Sequence, residues 1–130
     1  MTAPATMRVI EAIGAGGPEV LRSAERPTAQ AQSGQVLIKV AFAGVNGPDL
    51  MQRRGLYPPP EGASDLLGLE IAGEVVANGA NTTRWKPGDR VCALTNGGGY
   101  AEYCAVVENH CLPTLCPYTT LFRSDRKSVV

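Results

Sequence analysis

The chain has 130 residues, 12 Lys+Arg against 12 Asp+Glu, and 44% hydrophobic composition, which suits one domain able to bury about two thirds of its unfolded surface. This charge balance excludes the positive field that gathers nucleic acid or an anionic membrane surface. No apolar run approaches the roughly 20 residues of a membrane span, and the opening "MTAPATMRVIEA" lacks a secretory-leader layout, so a cytoplasmic protein is expected.

Two β-rich segments come first, "MRVIEAI" and "EVLRSAERP", separated by "GAGGP". The glycines supply positive φ and the proline a fixed one, so a hairpin is expected. A phosphate-binding loop is the competing reading of those glycines, but no helical pattern follows them. After the linker "PTAQAQSGQ", the run "VLIKVAFAGV" carries the single charge Lys39 and predicts a central strand.

Pro48 closes that strand and suits the first position of a short helix, with Asp49 near its positive end and Gly55 as its stop. The loop that follows, from "GLYPPPEGASD", is long for a compact domain, and such loops are functional or disordered. "LLGLEIAGEVVANG" predicts a strand in which Gly68 and Gly73 permit a bend or a close backbone approach. "KPGD" turns the chain into a further strand through "RVCAL". In "GGGYAEYCAVV", Ala101, Tyr103 and Ala105 alternate with Glu102, Cys104 and Val106. Short, bent strands with glycine turns predict a mainly β fold, a small and partly open β-barrel with one or two short helices.

Cys92, Cys104, Cys111 and Cys116 contain no CxxC pair, so they read as reduced thiols rather than metal ligands. His110, the one histidine, reads as a surface or packing residue. Trp85 and Glu70 read as structural, the first covering the barrel and the second pairing locally; Tyr100, after three glycines, reads either as lining a cleft or as an ordinary strand residue, and its alternation position favours the second.

The tail "CPYTTLFRSDRKSVV" breaks the period-two pattern and turns basic. Written as TAC ACG ACG CTC TTC CGA TCT for Tyr118 to Ser124 and GAT CGG AAG AGC GTC GTG for Asp125 to Val130, its codons form an inverted repeat around one T. Its arms resemble a sequencing-library adapter in its two orientations. The expectation is a domain over residues 7–115, preceded by a disordered stretch over 1–6. Residues 116–130 would be an adapter-derived tail in which Arg123, Arg126 and Lys127 have no function.

Together, "GGPEVL", "GVNGPDLMQRRGLYPPPEGASDLLGLEIAGEVV", "RWKPGDRVCAL" and "GGGYAEY" resemble the N-terminal part of the medium-chain dehydrogenase/reductase superfamily. Within it they are most similar to zinc-free NAD(P)H:quinone oxidoreductases of the p53-inducible quinone reductase type. The resemblance implies a GroES-like barrel that would be followed by a Rossmann domain absent from this chain, and a barrel that the returning chain completes. Zinc-dependent relatives place a cysteine within the stretch that reads "VNGPD" here and a histidine where Leu69 precedes Glu70, so no zinc is expected. Relatives also usually carry a bulkier residue where this chain has Gly47.

Without a Lewis acid, a carbonyl that receives a hydride needs donors to stabilise its developing charge. Asn46 offers an amide and Tyr57 a phenol on an aromatic face, and the resemblance places both near nicotinamide and substrate, as catalytic and cofactor-binding residues. The bland readings are a turn-shaping asparagine and a packing tyrosine. The implied parent is an NADPH-dependent enzyme reducing a quinone or conjugated carbonyl, a homodimer or homotetramer, of which this fragment alone is inactive. The rivals are a zinc alcohol dehydrogenase, a zinc-free enoyl reductase of the same superfamily, and a non-enzymatic GroES-like binding module.

Overall fold

The computed structural model describes residues 3–114. The expectations for Cys116 and for the tail over 116–130 lie outside the described residues. Strands β1 (Thr6–Ala12) and β2 (Leu21–Pro27) pair antiparallel from Thr6 opposite Pro27 to Ala12 opposite Leu21. This is the expected hairpin. Thr6 and the residues just before it belong to the stretch expected to be disordered, yet Pro4 and Ala5 accept hydrogen bonds from Thr28, the side-chain Oγ1 at 2.5 Å and the N–H at 3.0 Å.

A second sheet holds five antiparallel strands in the order β6-β3-β4-β5-β7. These are β3 (Gln35–Ala43), β4 (Glu70–Asn78), β5 (Arg90–Leu94), β6 (Tyr103–Val107) and β7 (Cys111–Pro113). The hairpin joins it through a bridge between Val9 and Ala101, flanked by Ile10 N–H to Tyr100 carbonyl at 2.9 Å and Glu102 N–H to Arg8 carbonyl at 3.0 Å. Neither sheet closes on itself, so the architecture is the mainly β, partly open one that the strand pattern predicts.

The apolar run of β3 has a simple cause in its first half, Val36 to Ile38, which is buried on both faces. Val36 and Ile38 enter a core with Ile71, Val75, Val91 and Val106, while Leu37 enters a second cluster with Met7, Val9, Leu66 and Tyr103. Each such aliphatic side chain contributes about 1.5 to 3 kcal/mol. β6 divides the same way, with Cys104 and Val106 in the first cluster and Tyr103, Ala101 and Ala105 at the second. That is the alternation read from the sequence, although the strand opens at Tyr103 rather than among the preceding glycines.

Arg26 ties the hairpin to the long loop. Its Nη1 and Nη2 donate to the two Asp65 oxygens at 2.8 and 2.9 Å, while Nε and Nη2 donate to Glu11 Oε2 at 3.1 and 2.9 Å. The guanidinium holds both carboxyls below their ordinary range, with Arg22 helping at Glu11.

Two glycines are needed where backbones touch. Gly73 faces a bulge in β3, and a Cβ there would overlap the Lys39 carbonyl. Gly68 has φ +105°, and its Cβ would lie 2.6 Å from the Tyr100 nitrogen. Gly68→Ala therefore combines positive-φ strain with a main-chain clash, and should lower unfolding stability by about 2 to 3 kcal/mol in urea titration.

Cys104 and Cys111 are core residues, and burial pushes both thiols up to about 11. The folded state thus keeps protons that the unfolded chain releases near its ordinary value of 9.0. The stabilisation is complete below pH 9 and disappears as pH rises through 11. Unfolding free energy measured across that window should fall, and Cys104→Ala should flatten the fall by about 1 to 2 kcal/mol at its alkaline end.

Candidate active site

Helix α1 (Gly47–Arg53) leaves β3 through Asn46, its N-cap, with Pro48 in the first turn and Gly55 at φ +80° just beyond its end. The helix has two turns at most, as its sequence suggested. Its N-terminal half is organised by Asp49, which is 1% exposed. Asp49 Oδ2 accepts the Asn46 N–H at 3.0 Å and the Tyr100 hydroxyl at 3.0 Å, and Oδ1 accepts the Gly68 N–H at 3.2 Å. One carboxylate therefore joins the helix start, the loop before β4 and the approach to β6.

Asn46 is half-buried, and its Nδ2 donates to Glu70 Oε1 at 3.2 Å. The expectation that Glu70 pairs locally is corrected here, because its partner lies 24 residues earlier. Tyr100 is corrected as well: it precedes β6, and its hydroxyl reaches across to Asp49. Burial first, and then the neighbouring Asp49 charge, raises its phenol above the ordinary range. Trp85 keeps its expected role, packing against the first core and donating Nε1–H to the Glu108 carbonyl at 2.9 Å. His110 is exposed on a short 3₁₀ turn.

Tyr57 lies in the loop after α1, 43% exposed. No hydrogen bond joins it to Asn46, and neither residue lines the large cavity described next. The structure thus brings Asn46 together with Asp49 and Glu70, and leaves Tyr57 on the open side of the loop. The Gly47 Cβ position meets nothing within 4 Å, so a bulkier residue there would point into free space.

Between the hairpin, α1 and the 99–102 segment lies a mostly apolar cavity of about 580 Å³, lined by Ile10, Val40, Leu50 and Leu67 with Arg53 and Tyr100. Arg53 is only 8% exposed. Its Nε donates to the Gly16 carbonyl at 3.2 Å, and its own carbonyl accepts the Gly16 N–H at 2.9 Å. The glycine-rich hairpin loop therefore anchors the end of α1 besides reversing the chain. Sequence reasoning missed the buried partners of Asp49, the reach of Glu70 to Asn46 and the anchoring of Arg53 on the hairpin loop. The signal available was their charge inside otherwise apolar or glycine-rich stretches, where an unpaired charge is costly. Among the described residues no group of three or more His, Cys, Asp or Glu is placed to hold a metal ion.

The family model for the alcohol dehydrogenase GroES-like domain matches residues 32–117. A quinone oxidoreductase of Rattus norvegicus is 39% identical over 119 residues, covering 90% of this chain and 36% of its own length. An alcohol dehydrogenase of Schizosaccharomyces pombe is 37% identical over 108 residues, covering 82% of this chain and 30% of its own. Among solved structures, Escherichia coli quinone oxidoreductase complexed with NADPH superposes with a TM-score of 0.75 at 31% identity, over 83% of this chain and 33% of that one. The chain thus spans about a third of the length of the relatives it matches.

Removing one donor or the acceptor should separate the parts of the Asp49 cluster. Tyr100→Phe should cost about 1.5 to 3 kcal/mol, the range for a hydrogen bond to a charged group. Asp49→Ala, which leaves buried donors unpaired, should cost about 3 to 5 kcal/mol. Thermal unfolding of the two variants side by side checks the order.

Proposed function

The chain belongs to the alcohol dehydrogenase GroES-like domain family, and from that premise we propose that it is the N-terminal, substrate-side domain of an NADPH-dependent quinone oxidoreductase. The domain occupies residues 7–115, and the parent adds a Rossmann domain that holds most of the nucleotide. The parent is a cytoplasmic homodimer or homotetramer; among the described residues no helix is long and apolar enough to cross a membrane.

The observation that carries this reading is the held amide of Asn46. NADPH, when bound, would supply a hydride, and negative charge would develop on the oxygen of the quinone or conjugated carbonyl. Asn46 gives one amide hydrogen to Glu70 and retains the other for a ligand. An amide already fixed by the fold needs no reorganisation when charge develops, which is where preorganised donors act most strongly. Tyr57, exposed nearby in sequence, offers its ring as a stacking face for a flat acceptor and its hydroxyl as a second donor. No zinc takes part in this reading: Leu69 has no ligating atom, and the Asn46 amide, a poor ligand, is bonded to Glu70.

The alcohol dehydrogenase relative favours a second reading, metal-dependent alcohol oxidation. The two separate experimentally. The source DNA is read past the codon for Leu115 without ligated adapters, and the longer chain is expressed. It should oxidise NADPH only in the presence of a quinone or conjugated carbonyl and should bind no stoichiometric zinc, while residues 1–130 alone should turn over nothing. Asn46→Ala should lower kcat/KM about 100-fold, the loss typical of one charge-stabilising donor, and Tyr57→Phe about 10-fold. A reading frame that closes after Val130, or tightly bound zinc, would sink the proposal.

A further inference from the structure

Asn46 is held at two points. Its backbone is extended, with φ −125° and ψ 163°, and its N–H donates to Asp49 Oδ2 at 3.0 Å. Its side chain is tied separately, through Nδ2 to Glu70 Oε1 at 3.2 Å. Glu70 in turn sits on rigid backbone. It opens β4, its carbonyl accepts the Gly44 N–H at 2.8 Å, and the preceding carbonyl of Leu69 accepts the Thr95 N–H at 2.9 Å.

An amide presents two unlike edges, a donating nitrogen and an accepting oxygen, and a half-turn about its last torsion exchanges them. A carboxylate only accepts. Facing Asn46, Glu70 can meet the nitrogen and repels the oxygen, so it selects one of the two orientations. The consequence is electrostatic as well as geometric. In the selected orientation the second amide hydrogen and the oxygen keep fixed directions, with the Asp49 N–H of the helix's capping box facing the same side chain; with an apolar residue at position 70 the exchanged orientation no longer meets a repelling carboxylate. In the wrong one the edges are exchanged, and a lone pair stands where a hydrogen is needed.

We propose that Glu70 is a positioning residue for the reductase reaction, its carboxylate setting the orientation of the Asn46 amide. This rests on the reading of Asn46 as the charge-stabilising donor. Glu70 touches neither substrate nor cofactor in this role; it acts through Asn46.

The test uses the longer enzyme, labelled with ¹⁵N at asparagine, as wild type, Glu70→Ala, Glu70→Gln, Asn46→Ala and the double variant Asn46→Ala/Glu70→Ala. Glu70→Ala should lose most of the kcat that Asn46→Ala loses, with KM for the quinone changed less than about twofold, and the double variant should be no worse than Asn46→Ala. Glu70→Gln keeps an accepting oxygen and should recover to within about threefold of wild type. The Asn46 side-chain amide signals should move in Glu70→Ala and return towards wild type in Glu70→Gln. If Glu70→Ala does not fold, Glu70→Leu replaces it.

Losses that multiply in the double variant, or an unchanged kcat in Glu70→Ala, overturn the role. An enzyme that reduces no quinone sinks the reading of the reaction and not the assignment of Glu70, which the amide spectrum then decides alone. Asn46 signals that ignore substitution at position 70 overturn the assignment.

Discussion

One buried carboxylate fixes the geometry on which the candidate site depends. Taking a charge out of water costs several kcal/mol, and only close partners offset it. Asp49 has three, drawn from positions 46, 68 and 100. Those three segments are far apart in sequence; backbone bonds bring them close, Gly44 N–H to the Glu70 carbonyl at 2.8 Å and Tyr100 N–H to the Leu67 carbonyl at 3.0 Å, and the carboxylate ties them at one point. The carboxylate converts a short helix, too brief to be stable by itself, into a fixed element whose first residue carries the functional amide. Glu70 lies two residues beyond one of the three donors, so its reach to Asn46 follows from the same constraint.

The site is therefore polar on one side and apolar on the other. Asp49 and Glu70 hold the start of α1 from within the fold, while Arg53 holds its end against the hairpin loop. Tyr100 and Asp49 both line the apolar cavity, and the Tyr100 hydroxyl is bonded to the carboxylate. Nothing in this arrangement leaves Asn46 to find its orientation after a ligand arrives. Tyr57 is the contrast: it is on an exposed loop rich in proline, whose stiffness limits its travel without giving it a fixed partner.

Strand and turn positions were legible because they rest on local chemistry. The β3 run, the "KPGD" turn with Lys86 N–H on Asp89 Oδ2 at 3.0 Å, and the close approaches at Gly68 and Gly73 all follow from residue type. The site was legible at Asn46 and illegible around it. Asp49 at the start of a helix suggests a favourable dipole, and nothing local indicates that a tyrosine 51 residues later will bond to it. Glu70 likewise looks like the polar first residue of a strand. Partners of buried charges are set by tertiary contact, which residue spacing does not encode. Tyr100 shows the opposite failure, since an alternation that holds from Ala101 onward was extended one residue too far.

The central place of β3 also bears on how the chain must be made. Its apolar residues, 35 to 43, emerge early, yet one edge waits for β4 and the other for β6, which ends at Val107. Until then the strand offers two unpaired edges and two sticky faces, and pairing across such sequence distances is slow. During synthesis the sheet cannot be completed before most of the domain has left the ribosome. Lys39, the single charge in the run and opposite Glu74 in the finished sheet, is then the one residue of the strand that discourages pairing with a neighbouring chain.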